Sequence, residues 1–241
     1  MPRGSEVHRK GKAMPFVGKR FRADVKSVEG RRMTAVPLTD AVATIKQFKK
    51  AKFDQSVEVV LHLGIDPKQA DQMIRGSLSL PHGIGKSKRV ICFCTDDKVA
   101  MAKSAGAIEA GGEDLVKKIE GGWMEFDVAI ASPDMMRVVS RLGKSLGPKG
   151  LMPSPKTGTV TPNIEQAVKE YAAGKLEFRN DDGGNVHAVI GKHSMDAKML
   201  EENAQAFIDH IQRIKPSATK GQYVKKIAMS ATMSPSVLVQ A

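Results

Sequence analysis

Two apolar runs of different pattern constrain what this chain can fold into. Val57, Val59, Leu61 and Leu63 alternate with other residues, which is how a strand reads when one face is covered and the other is wet. Arg89-Val90-Ile91-Cys92-Phe93-Cys94 is instead almost continuously apolar and β-prone, as expected of a central strand covered on both faces, usually in a parallel sheet. A chain holding both runs needs two kinds of sheet.

The flanking signals alternate between helix and strand, an α/β pattern. Thr39 is placed to cap a helix carrying Ala41, Val42, Ile45 and Phe48, with Lys46, Lys49, Lys50 and Lys52 alongside. Asp66-Pro67 opens a short helix through Arg75. Helices are expected at about 97–105 and 113–120, a second buried strand at 126–131, and a further helix from Ser132-Pro133. From Leu142 to Pro162 the density of Gly and Pro predicts a long ordered loop or an interdomain surface. Thr161-Pro162 then caps a helix to about Gly174. Strands at 176–180 and 186–190 flank Asp181-Asp182-Gly183-Gly184, a hairpin signal. A helix at about 196–213, with Met199, Ala206, Phe207, Ile208 and Ile211 on its apolar side, precedes a last strand at 223–229. The two chain ends resemble each other more than the middle, which suggests one domain built from both ends with a second inserted.

Charge narrows the partner. The chain carries a formal net charge of +12, and residues 1–52 supply most of it, with 14 Lys and Arg against 4 Asp and Glu. Such a basic segment favours a polyanion, although a merely solvated arm is the plainer reading. The only two cysteines, Cys92 and Cys94, are one residue apart, so no disulfide framework exists and a reducing cytoplasm fits. No stretch approaches eighteen apolar residues, and the charged start lacks a secretory apolar core, so no membrane partner is expected.

Catalytic chemistry finds no support. Gly85-Lys86-Ser87 ends like a phosphate-binding loop, but Leu80 stands where the first glycine is required, and the segment runs into a strand instead of a helix. Gly83 and Gly85 read better as a hinge. The cysteines lack a second Cys/His pair at zinc spacing, and the six histidines show no i,i+4 pairing. No serine sits in a nucleophile elbow. We expect no catalytic residues, metal or cofactor. Two loops are better candidates. In Ser230-Ala231-Thr232-Met233-Ser234-Pro235-Ser236, hydroxyls could meet 2′-hydroxyls and phosphates while Met233 packs on a sugar or base, or the segment could simply end a strand. Lys52-Phe53 could present a ring for stacking beside a cation, or bury the ring in the core.

Longer runs carry a resemblance. The segment 44–59 with Ala51-Lys52-Phe53, then Leu63-Gly64-Ile65-Asp66-Pro67, Leu80-Pro81-His82-Gly83, Ser145-Leu146-Gly147-Pro148-Lys149-Gly150-Leu151-Met152-Pro153, Gly158-Thr159-Val160, Phe178-Arg179-Asn180-Asp181 and Thr232-Met233 resemble the bacterial family of ribosomal protein L-one, over about residues 14–239. Residues 1–13 lie outside it and read as a flexible extension, with Met14 an alternative start to Met1.

The resemblance implies an α+β first domain (1–82 and 174–241) that binds RNA, and an inserted Rossmann-like, three-layer α/β second domain (83–173). Gly83, Gly85 and Gly174 would lie at the hinge. It implies a non-catalytic, cytoplasmic, ribosome-associated protein, monomeric when free, that binds large-subunit ribosomal RNA at the base of the mobile stalk and reaches exit-site tRNA. It also implies repression of translation through the protein's own operon messenger. The implied RNA contacts are Lys52, Phe53, Asp181, His187, Thr232, Met233 and Ser234. Three positions depart from the family's usual pattern: Ser234 replaces a glycine, Ala231 a serine or threonine, and Asp182 a lysine, so weaker RNA affinity is expected.

Overall fold

A computed structural model describes residues 18–28, 34–219 and 221–240. The expected extension 1–13, and with it the choice between Met1 and Met14, falls outside these residues.

The described chain opens with the basic helix α1 (Lys19–Val28) and then α2 (Leu38–Gln47). Thr39 is not the cap of α2: the helix starts one residue earlier, after Pro37, whose ring-restricted φ of −56° already suits a helix entry. Strand β1 (Ser56–Leu63) buries every second residue, Val57, Val59, Leu61 and Leu63, as the alternation requires. The helix expected from Asp66-Pro67 to Arg75 is only a single turn of 3-10 helix, Ala70–Gln72. Ile74 explains why: its N–H goes to Asn180 Oδ1 (2.8 Å) and its carbonyl accepts the Asn180 N–H (3.0 Å), so Arg75 opens a strand, β2 (Arg75–Leu78).

Strand β3 (Val90–Phe93) is buried at all four positions. There follow α3 (Asp96–Ser104), β4 (Glu109–Gly111), α4 (Glu113–Glu120) and β5 (Val128–Ala131). These three strands form a parallel sheet in the order β4-β3-β5. After Ser132-Pro133 come short turns of helix, including α5 (Met136–Val139) and α6 (Gly143–Leu146), so the expected long loop begins only after Leu146. Then come α7 (Ile164–Ala172), β6 (Leu176–Arg179), β7 (Asn185–Lys192), α8 (Ala197–Arg213), β8 (Val224–Ala231) and β9 (Val237–Val239). Thr161-Pro162 is not the cap of α7: the helix starts at Ile164 after Asn163, and the Thr161 hydroxyl, accepting the Asn163 N–H at 3.2 Å, closes only the turn before it. On α8, Met199 is exposed, and the buried face is Leu200, Asn203, Ala204, Phe207, Ile208 and Ile211.

The turn at 181–184 forms as expected, with Asp181 N–H to Asn185 O at 2.8 Å and Gly184 N–H to Asp181 O at 3.1 Å. The strands it joins do not pair beyond an Asn180–Val186 bridge: β6 pairs with β2 in a two-stranded antiparallel sheet, and β7 with β1. The main antiparallel sheet has the order β7-β1-β8-β9, drawn from both chain ends. Helices α2 and α8 cover one of its faces and share its core, including Ile45, Leu61, Ile190, Phe207 and Ile227. Two further cores lie on opposite faces of the parallel sheet, one under α3 and α7, the other under α4, α5 and α6. That is a three-layer α/β arrangement.

Candidate nucleic-acid interface

The register of β1 sets the geometry. Ser56 faces Lys192 of β7, and Val57 faces Ala231 of β8. The segments 52–55, 192–194 and 231–234 therefore meet at one end of the sheet. Thr232 donates its N–H to Ser56 O (3.0 Å), and its hydroxyl accepts the Ser56 N–H (3.1 Å). Met233 N–H goes to Gln55 Oε1 (3.0 Å), while Gln55 O accepts the His193 N–H (2.7 Å). Asp54 receives both the N–H and the hydroxyl of Ser194, at 3.1 and 2.7 Å. Arg20 of α1 reaches across to Met233 O at 3.2 Å, bringing part of the basic segment to the same turn.

On this frame Phe53 and Met233 stand half exposed, at 53% and 52%, with Lys52 exposed beside Phe53. A protein that hides its apolar residues keeps these two out, and Met233, whose N–H and carbonyl are both held, can meet a base or sugar at little further ordering cost. Ser234 does not point outward: its hydroxyl accepts the Ala231 N–H (2.8 Å) and lies 3.1 Å from Pro235 O, closing its own turn. Ala231 is buried and contributes to the core.

Asp181 and His187 lie away from that end. His187 is opposite Val60, midway along β1, on the exposed face of β7. The Asp181 carboxylate accepts N–H bonds from Gly183 (2.9 Å) and Asn185 (2.7 Å), and Asn185 Nδ2 comes within 3.0 Å. These donors, Asn185 foremost, hold its pKa down to about 2. His187 Nε2 is 3.6 Å from Asp181 Oδ2, so these two do meet. Asn185 also joins His62, Oδ1 to Nδ1, at 2.8 Å. The predicted contacts thus form two groups, Lys52, Phe53, Thr232, Met233 and Ser234 at one end, and Asp181 and His187 toward the other, along the sheet face that α2 and α8 leave open.

Gln55, Arg20 and Asn185 escaped the sequence reading. Gln55 did carry a signal: it is a polar residue on the inward parity of 55, 57, 59, 61 and 63, and it is buried. The hinge candidates occupy two chain segments in contact. A Cβ on Gly83 would come within 2.9 Å of Ala173 O, and one on Gly174 within 2.9 Å of Ile84 Cγ1, with φ at 61° and 101° respectively. Only glycine fits this crossing. Gly85, exposed, lies just beyond it. Cys92 and Cys94 are buried free thiols, and burial pushes both thiols up from their ordinary pKa. Among the described residues no group of His, Cys, Asp and Glu is placed to hold a metal ion, and no helix is long and apolar enough to cross a membrane.

Comparison with known proteins bears on this geometry. The model of the Ribosomal protein L1p/L10e family matches residues 45–235. The chain belongs to this family. The large ribosomal subunit protein uL1 of Nocardioides sp. is 48% identical over 221 residues, 92% of this chain and 91% of the relative. The protein of the same name from Maridesulfovibrio salexigens is 48% identical over 222 residues (92% and 94%), and that of Saccharopolyspora erythraea 51% over 200 residues (83% and 84%). The L1p/L10e family is one of structural ribosomal proteins and not of enzymes, and the likeness to these relatives extends beyond the motifs to most of the chain.

Proposed function

We propose that this L1p/L10e family member is a cytoplasmic constituent of the large ribosomal subunit that clamps ribosomal RNA at the base of the mobile stalk. The observation that carries this reading is the pair of half-exposed side chains, Phe53 and Met233, at one sheet end, where Gln55, Ser56 and Thr232 hold the turn that carries Met233. RNA helices hide base edges in a deep groove, so contacts through shape, phosphate and 2′-hydroxyl suit such a surface. Lys52, Phe53, Thr232 and Met233 make the first set of contacts, with Ser234 holding the turn. Asp181 and His187 make the second. Residues 1–82 with 174–241 form the RNA-binding domain and 83–173 an inserted domain that swings at Gly83, Gly85 and Gly174 to reach exit-site tRNA. The same RNA surface serves a look-alike on the protein's own operon messenger.

The test is binding to a stalk RNA fragment and to a scrambled RNA of equal length, titrated across salt. A preference above about 10³-fold for the fragment supports shape-specific recognition. Equal binding to both, collapsing steeply with salt, overturns it, because only sequence-independent phosphate attraction would be at work.

A further inference from the structure

The two-stranded sheet contains a pairing that folding alone does not favour. In the β2–β6 register Arg75 stands directly opposite Arg179. Like charges placed opposite one another across strands destabilise a sheet, with Cβ atoms only about 5 Å apart. Among the described residues neither arginine makes an ion pair, and both are exposed. They line a cleft of about 420 Å³ between this sheet and the loop 147–150, which also presents Lys149. The Lys149 ammonium rests on the Met124 sulfur, at 2.7 Å, and has no carboxylate partner among the described residues. The loop is held in shape by Gly150 N–H to Gly147 O and Leu151 N–H to Leu146 O, both at 3.0 Å. Glu177 is the one acid lining the cleft, and its charge is shared with Lys88 and Lys175 as well as Arg75. Two guanidiniums thus line the cleft with one shared carboxylate, while the Lys149 ammonium is turned to Met124, outside the lining.

We propose that this cleft is a second phosphate-binding site, in which Arg75 and Arg179 hold the backbone of an RNA strand where the two-stranded sheet faces the loop 147–150. The occupant is RNA because of charge and continuity. Arg179 is two residues from Asp181, so a strand lying along the open face of the main sheet continues over the 181–184 turn into the cleft. Planar guanidiniums suit bidentate phosphate contacts, and an anion between them relieves the Arg75–Arg179 repulsion. This inference rests on the RNA reading above and adds a second contact region to it.

The test compares the whole protein with R75Q/R179Q, and with K103Q/K117Q as a control that removes the same charge from exposed positions on α3 and α4. Affinity for stalk RNA is measured across salt. The R75Q/R179Q variant should bind about 10- to 100-fold more weakly near 0.1 M salt, with a log–log salt slope smaller by about 1–2, since each phosphate contact contributes roughly 0.7–0.9. The control should change the slope far less. Without RNA, R75Q or R179Q alone should melt at or above the wild-type temperature, because a repulsion is removed. Unchanged affinity and slope in R75Q/R179Q, or a clear drop in Tm for both single variants without RNA, overturns the site. If wild type shows no preference for stalk RNA, the slopes are read on the scrambled RNA. A drop with R75Q/R179Q then keeps the phosphate site while the stalk assignment falls, and no drop overturns both.

Discussion

Strands β1 and β3 are each the centre of a sheet, yet they serve different ends. In β3 all four residues are buried, between helices on both faces. In β1 burial alternates, because α2 and α8 cover one face of the main sheet only. The side chains of a strand wrapped on both sides go into two cores and leave no face of that strand open to a partner. A strand with one open face supplies stability through alternate residues and leaves the others, and the loops at its ends, free to meet a partner. The RNA contacts that the resemblance implies, Lys52, Phe53, Asp181, His187, Thr232, Met233 and Ser234, lie on the sheet of the second kind or in the loops at its ends.

The largest expected effect tests that contrast. Adjacent positions in β3 should both be costly to truncate: Ile91→Ala should lose about 2–5 kcal/mol, and Val90→Ala somewhat less because its side chain is smaller. In β1 the cost should alternate, with Leu61→Ala losing about 2–5 kcal/mol and Val60→Ala below about 1. Urea titrations read this. Trp123, the only tryptophan, packs against the core under α4–α6, so its fluorescence follows the parallel part directly. Equal costs at Val60 and Leu61 would mean that the open face is covered in solution.

The next effect concerns the crossing between the two parts. Asn203 on α8 is fully buried; it accepts the His82 N–H (3.1 Å) and donates to Gly83 O (2.9 Å) and Ile190 O (2.8 Å). Asn203→Leu would leave three backbone groups without a partner, and should cost about 2–4 kcal/mol in thermal or urea unfolding. It should also weaken the hold of α8 on the hinge segment, so that amide exchange at Gly83 rises more than at Ile190. Equal increases at both sites would show that the clamp serves the core alone.

Which parts of this could be read from the sequence follows from how local each signal is. The alternation of β1 and the unbroken run of β3 are written in neighbouring residues, and both strands appear where expected. Strands β4 and β9 have three residues each, too short for a pattern, and exist because of their neighbours. The 181–184 turn was legible, but the partner of β6 was not: Asn180 commits that strand to Ile74, 106 residues away. At the site, Phe53 and Met233 stood out as apolar residues in strand-end loops. The bond from Gln55 to Met233 spans 178 residues and could only be suspected from the inward parity of Gln55.

Gln55 gives the third prediction. Gln55→Ala removes the acceptor for Met233 N–H while leaving Phe53, Met233 and Lys52 in place, so RNA affinity should fall about 5-fold, near 1 kcal/mol, with Met233→Ala falling further, by about 1–3 kcal/mol. Filter or calorimetric binding to the stalk fragment measures both. A Gln55→Ala variant that binds as wild type would mean the turn does not need its frame.

The smallest effect separates the second group of candidate contacts from the first. The Asp181 carboxylate is held near a pKa of about 2 by Asn185 and its neighbours, below the 3.9 or so of an unfolded aspartate. A carboxylate whose pKa is lowered on folding stabilises the native state above its unfolded pKa, and that contribution disappears as pH falls through the folded value. Asp181→Asn cannot titrate, and its side-chain oxygen can still accept the Gly183 and Asn185 N–H bonds. Wild type should therefore exceed the variant by less than about 1 kcal/mol at pH 6, because Asp181 is exposed and solvent screens its charge. The gap should close between about pH 4 and pH 2. A gap that persists at pH 2 would assign the difference to the shape of the turn and not to its charge, and the same variant's RNA affinity at pH 7 then separates charge from shape at the interface.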